Sequence, residues 1–416
     1  MVGNRRALFS SIASHSVTKN AAALGALQLV NYAVPLLLLP YLTRQLGVNA
    51  FGLVAITLAV IQFAYTITDY GFSLSGTYDI SLKRGDVAYI NEKIGAIFGA
   101  KIFLLLFVVV CIFLAPVVFP SLDLPFPYII AVILAIAAQA FQPIWLFQGL
   151  ERMKNITIYM VLTKVLYAVL VISFVSGESD AIIVIYSWGA AQFLGLLVSL
   201  VFMRREGYSI AWPLFSEALG ELKASSQFFW SRLSVSLYTS ASTVVVGSAS
   251  VAQAAHFAVC EQVYKAGQNI TSPVNSAMFP FMAQHKNWKI FFSVFLVCSL
   301  TLICGCALLA YYAGPLLVLL FGQEYGVAAP ILLVFLCTVV VNYVSVTFGY
   351  SAFSALERIA IANMTVVAGA IVQVVTLSLL YYLNEISGLT VACSVLVAET
   401  LVMVMRVSFF SYYRRS

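Results

Sequence analysis

Long apolar stretches separated by short polar connections run the length of the 416-residue chain. A helix needs about 20 mostly apolar residues to cross the hydrocarbon of a bilayer. In the first half, stretches of that kind fall near 20–41, 51–72, 95–119, 126–148, 157–176 and 181–203. The second half repeats the pattern near 226–247, 251–282, 290–313, 326–354, 360–383 and 387–410. The spacing predicts an all-α integral membrane protein of about twelve transmembrane helices. The first stretch exceeds a signal-peptide core of about 7–15 residues and no small-residue cleavage site follows it, so it is expected to remain as a span.

An internal repeat organises these spans. FQGLERMKNI at 147–156 recurs as FSALERIAIA at 353–362, a shift of 356 − 150 = 206 residues, close to half the chain. The same shift sets Asn20 on Ser226, Phe51 on Phe257 and Asp69 on Asn275. With an even number of spans per copy, the second copy enters from the same side as the first, which defines a parallel repeat about the membrane normal. The expectation is an N-terminal lobe over 1–206 and a C-terminal lobe over 207–416, six helices each, around a central cavity.

Composition agrees: 62% of residues are hydrophobic and 9% charged, against about 25% charged in a soluble domain. The charge is also sided. The tails and even-numbered connections hold 16 of the 22 basic residues, whereas the opposite side has at most Arg44 and carries Asp123, Glu178, Asp180, Glu324 and Glu385. By the positive-inside rule both termini are cytoplasmic, and the net charge of +6 is an orientation signal that calls for no nucleic-acid partner.

Catalytic chemistry is not signalled. No P-loop, HExxH, GxSxG or CxxC occurs, so neither ATP-driven pumping, metal binding nor a catalytic nucleophile is expected, and no cofactor is called for. The seven cysteines lie in apolar stretches and read as packing residues, and His15, His256 and His285 have no ligand-like spacing. GAIFG at 95–99 is a small-xxx-small helix-packing motif. Short outer loops argue against a polymerase or ligase working on extracytoplasmic sugars.

Polar side chains at bilayer depth cost several kcal/mol, so they usually face a bundle interior or a wet cavity. Lys101 and Arg406 lie near predicted cytoplasmic ends and are expected to snorkel; Lys164 and Arg232 are deeper, and Glu261, Lys265 and Glu399 fall near mid-span. In the eighth span Glu261, Lys265, Gln268 and Ser272 share one helical face. The seventh carries Arg232, Ser236, Thr239, Ser240 and Thr243, the second Gln62, Thr66, Asp69 and Ser73, and the first Gln28 and Asn31. Under the shift of 206 these are equivalent helices of the two halves, and their stripes are expected to face a shared cavity. Two bland alternatives stay open: Glu261 and Lys265 also suit a structural i, i+4 ion pair, and hydroxyls also glue helices together.

One segment carries a resemblance. Residues 32–82 contain PYL-x-R-x-LG-x-x-x-FG as Pro40, Tyr41, Leu42, Arg44, Leu46, Gly47, Phe51 and Gly52, followed by Asp69, Tyr70, Gly71 and Phe72. This resembles the opening of Wzx-type O-antigen transporters, polysaccharide flippases of the multidrug/oligosaccharidyl-lipid/polysaccharide (MOP) exporter superfamily. PIWLFQGLERM at 143–153 resembles a second motif of that family, and FGQEYGVAAPILLV at 321–334 a third, looser one. The resemblance implies export of an oligosaccharide on undecaprenyl diphosphate from the cytoplasmic to the periplasmic leaflet of a bacterial inner membrane. It implies a cationic substrate cavity supplied by Lys164, Arg232 and Lys265 with Gln62 and Gln268, and Arg44 at its periplasmic mouth. It further implies a gate at Asp69 and a coupling proton on Glu261 or Glu399. The polysaccharide polymerase and chain-length regulator become candidate partners. Rival readings are a multidrug exporter of the same superfamily, a membrane-embedded glycan polymerase or ligase, and a non-transporting envelope scaffold.

Overall fold

A computed structural model describes the backbone of residues 2–118, 124–238 and 240–415, and the side chains within those segments from Ala33 onward, except at 118, 231, 235, 238 and 415. Gln28, Asn31, Asp123 and Thr239 therefore lie outside the described side chains. The described residues form helices and no strand, the arrangement that satisfies every backbone group without water.

The motif at the start of the chain has a steric reason. Helix α1 (Val2–Asp69) is broken into two arms at Gly47, whose φ of 68° and ψ of 177° are open essentially to glycine alone. Five residues on, a Cβ at Gly52 would lie 2.1 Å from the Val251 carbonyl oxygen, so that position brings the second arm against the start of α10 (Val251–His285). Tyr70 and Gly71 then take positive φ, 47° and 84°, and turn the chain into α2 (Phe72–Leu82).

Nine segments among the described residues are long and apolar enough to cross a membrane. The first, Ala33–Leu82, has 50 residues, more than twice what one crossing requires. The others fall on α3 (Val87–Val118), α4 with α5 (Phe126–Ala140, Ile144–Gly149), α6 (Met153–Phe174) and α7 (Ala181–Arg205). In the second half they fall on α11 (Trp288–Tyr311), α13 with α14 (Ala329–Val346, Ala352–Ala355), α15 (Ile359–Tyr382) and α16 (Gly388–Arg415). A shorter helix, α12 (Ala313–Phe321), joins α11 to α13. The stretches expected at 226–247 and 251–282 are not among the nine. The former is divided between α8 (Phe215–Tyr238) and α9 (Ser240–Ala249), and the latter is α10, whose polar face lowers its hydropathy.

The two copies of the Leu-Glu-Arg echo share one backbone turn. After α5, Glu151 adopts φ 59°, and the Arg152 amide donates to the Phe147 carbonyl at 2.8 Å. After α14, Glu357, 357 − 151 = 206 positions later, adopts φ 58°, and the Arg358 amide donates to Phe353 at 2.9 Å. Each glutamate is also ion-paired, to Arg84 at 2.8 Å and to Lys286 at 2.7 Å.

Helices at the rim direct apolar side chains outward, as lipid contact requires. Among its described residues α11 buries Phe291 and Ser299 and exposes Leu296, Val297 and Leu300, and α3 exposes Leu106, Phe107 and Val110. GAIFG packs against the connector that leads into α8 and against Ala218 in the first turn of α8. A Cβ at Gly95 would sit 1.8 Å from the Ala211 carbonyl oxygen, and one at Gly99 2.8 Å from Pro213.

Lys101 and Arg406 do not snorkel. They are 1% and 4% exposed. Lys101 Nζ donates to the Ala140 carbonyl at the end of α4 at 2.6 Å. Arg406 donates to Thr365 at 2.9 Å and to the carbonyls of Ser345 and Ala362 at 2.9 and 3.2 Å. Carbonyls and a hydroxyl of neighbouring helices satisfy these cations inside the bundle, so neither has to reach for water.

Candidate functional site

Polar stripes from both halves of the chain do meet. Gln62 on the second arm of α1, Lys164 on α6, Trp188 on α7, Thr243 on α9, and Glu261 and Lys265 on α10 line one cavity of about 290 Å³. Leu38, Leu42 and Phe51, from the two arms of α1, supply apolar wall, which keeps the dielectric low and the charges strongly felt.

The cavity's ionisable side chains are not equivalent. Glu261 is 6% exposed, receives the Lys265 ammonium at 2.9 Å and accepts a hydrogen bond from Thr243 at 3.2 Å. The i, i+4 ion pair is thus formed, and it also faces the cavity. Lys164 has no salt-bridge or hydrogen-bond partner among the described residues. Its Nζ stands 4.4 Å from the centroid of the Trp188 ring, which Tyr167 braces edge-on at 5.1 Å. A cation over an indole face is attracted to it without being neutralised. Lys164, Lys265 and Glu261 together leave one uncompensated positive charge.

Arg232 is elsewhere. Its Nε lies 3.4 Å from Asp69 Oδ2, an ion pair without hydrogen-bond geometry at that nitrogen, and its Nη1 donates to Ser73 at 2.9 Å. Ser73 in turn donates to Asp69 at 2.9 Å. Around this knot Tyr70 stacks on Phe229 with centroids 4.4 Å apart, Ser75 and Ser225 are hydrogen-bonded at 2.7 Å, and a Cβ at Gly71 would come within 2.7 Å of Phe228. The end of α1 and the start of α2 are therefore clamped onto α8.

The remaining sequence candidates are spread out. Arg44 is exposed and donates to the Leu319 carbonyl of α12. Gln268 faces a different hollow and donates to the Tyr264 hydroxyl at 2.8 Å, and Tyr264 donates to Glu399 at 3.3 Å, where Asn342 also hydrogen-bonds. The stripe on α10 is thus shared between two hollows. Sequence reasoning missed Trp188 and the ion triad in which Lys93 meets Asp79 and Glu221, both at 2.6 Å. A tryptophan inside an apolar span gives no periodic signal, and Glu221 lies far along the chain from Lys93. No cluster of three or more histidine, cysteine, aspartate or glutamate side chains suited to a metal occurs among the described residues.

The model of a family described as polysaccharide biosynthesis protein matches residues 17–286. A protein of Escherichia coli (strain K12) named for O-antigen transport is 28% identical over 271 residues, 64% of this chain and 64% of that protein's length. A protein of Shigella dysenteriae with the same name is 27% identical over 327 residues, 74% of this chain and 79% of its own. Among solved structures, lipid II flippase MurJ in an inward closed conformation superposes with a TM-score of 0.74 at 10% identity, covering 95% of this chain and 87% of that one. An inward-facing multidrug resistance MATE transporter of the MOP superfamily gives 0.63 at 14% identity, with coverage of 94% and 99%. The chain thus has the helical membrane fold of those transporters, and it belongs to the polysaccharide biosynthesis protein family.

Proposed function

We propose that this protein is a flippase that moves undecaprenyl-diphosphate-linked O-antigen oligosaccharide from the cytoplasmic to the periplasmic leaflet of a bacterial inner membrane. Both termini are cytoplasmic in this reading, the chain has no catalytic activity, and the polymerase and chain-length regulator receive its product. The observation that carries it is the cavity where Lys164 from the first half and Lys265 from the second face one space with net positive charge. A diphosphate entering a low-dielectric interior needs such partners, because an unpaired buried anion is prohibitively costly. Family membership and the O-antigen relatives support the substrate class.

The working cycle is alternating access of two six-helix lobes, 1–206 and 207–416, about that cavity. Asp69 and Arg232 hold the cytoplasmic gate between them, and Arg44 stands at the periplasmic mouth. Gln62 and Gln268 meet the glycan, and Glu261 or Glu399 carries a proton exchanged for the substrate.

Deleting the gene from a strain with surface O-antigen tests the assignment. Expected is loss of surface polysaccharide with lipid-linked units held in the cytoplasmic leaflet, rescued by the wild-type chain and not by Lys164→Glu or Lys265→Glu. Undiminished surface polysaccharide in the deletion strain sinks it. A multidrug exporter is the second reading, favoured by Glu261, an anion able to hold an organic cation in the same cavity. It predicts that the deletion sensitises cells to cationic drugs and leaves polysaccharide intact.

A further inference from the structure

The hollow that Gln268 faces is separate from the cationic cavity. It measures about 550 Å³, between the later part of α10, α13 and the π-helical turn Thr347–Ser351. Its lining holds four amides, Gln268, Asn269, Asn275 and Asn342, hydroxyls that include Ser272 and Ser276, and no ionisable acid or base. The rings of Phe279 and Tyr350 complete the wall and are 38% and 41% exposed.

This chemistry selects its occupant. An ion would find no counter-charge in the lining, and a hydrocarbon chain would leave Asn269, Ser272 and Ser276 without partners. A hydrocarbon also has a better place next door. The other face of α10, with Val263, Ala266 and Ile270, lines an almost wholly apolar hollow of about 400 Å³ against α11 and α13. An uncharged molecule rich in hydroxyl and acetamido groups uses what the larger hollow offers. Its polar groups pair with amides and hydroxyls, and its C–H faces lie on the electron-rich faces of Phe279 and Tyr350. The volume is within the range of about 300–1,000 Å³ typical of ligand sites.

The site is also preset. Thr347 donates to Asn275 Oδ1 at 2.9 Å, and Tyr350 donates to Asn363 at 2.8 Å, so both side chains are oriented from outside. Asn269, Ser272 and Ser276 have no side-chain partner among the described residues and remain available to a ligand. Lys265, which faces the cationic cavity, stands on the same helix only a turn before Gln268.

We propose that this neutral hollow seats the uncharged saccharide of the transported molecule, while the cationic cavity takes its diphosphate. The proposal rests on the flippase reading above. Binding of two probes to the purified full chain tests it: undecaprenyl diphosphate without sugar, and the lipid-linked oligosaccharide extracted from the producing strain. The wild type is expected to bind the glycan-bearing probe more tightly. Filling the hollow with Ser272→Leu and Ser276→Leu together is expected to weaken that probe about tenfold or more, and to change the bare carrier by less than about twofold. Lys265→Glu weakens both. Equal affinity of the wild type for the two probes, or equal effects of the double leucine variant on both, overturns the saccharide seat and leaves the flippase reading standing. A wild-type protein that binds neither probe removes both.

Discussion

Arg232 of α8 and Asp69 at the end of α1 form an ion pair at 3.4 Å, with Ser73 bonded to both. Asp69 is 2% exposed and Arg232 36%. Removing one member of a fully buried pair costs about 3–5 kcal/mol because the other charge is stranded; the half-open arginine reduces that here. Asp69→Arg and Arg232→Asp are each expected to abolish surface polysaccharide, and the two together to restore it in part. Cell-surface staining at matched protein abundance checks this, and a swap no better than either single variant would count against the pair as the gate.

Gly52 gives a steric prediction. Its missing Cβ leaves 2.1 Å to the Val251 carbonyl, and backbone on both sides cannot yield as a side-chain tip does. Gly52→Ala is expected to separate α1 from α10 and reduce folded protein in the membrane several-fold. Gly305→Ala, with open space around it, is expected to be neutral, as quantified by heat-step solubility in detergent.

These two positions show how much was legible beforehand. Most spans follow from hydropathy, because a bilayer constrains length along a single axis, whereas basic residues and one ten-residue echo give sidedness and a repeat as expectations. The motif around Gly47 and Gly52 was visible only as a resemblance. Its cause, a glycine-only break and a backbone contact with Val251, involves a residue far along the chain. The site was half legible. Periodicity placed Gln62, Glu261 and Lys265 on faces that do meet, but it cannot tell which cation finds a partner across helices. Arg232 is taken by Asp69, whereas Lys164 remains open over Trp188.

Lys101 is a structural cation. Its ammonium serves the Ala140 carbonyl at the end of α4, so Lys101→Met strands that acceptor, at about 1–3 kcal/mol. A lower unfolding midpoint in detergent is expected, whereas Lys154→Met, at an exposed position, should leave it unchanged. Equal midpoints for the two variants would disprove the role.

The repeated turn has a pH signature. Lys286 donates a hydrogen bond to Glu357 and holds its carboxyl below the ordinary glutamate range. A depressed folded-state value means that the pair contributes above the unfolded carboxyl's range and is lost as pH falls through the folded one. The pair is exposed, so its effect is small and screened by salt. The midpoint difference between wild type and Glu357→Gln should be slightly positive at neutral pH and vanish in acid. A difference that grows on acidification would reverse the sign and rule the pair out.

In the proposed seating, helix α10 would also work as a gauge. Lys265 and Ser272 precede Pro273 on one continuous stretch, about 10 Å apart along the axis at 1.5 Å per residue. A rigid rod keeps that interval constant however the surrounding helices tilt. Cargo whose phosphate and first recognised ring are separated by a different length cannot register at both marks, so linkage geometry would be measured before sugar identity is read.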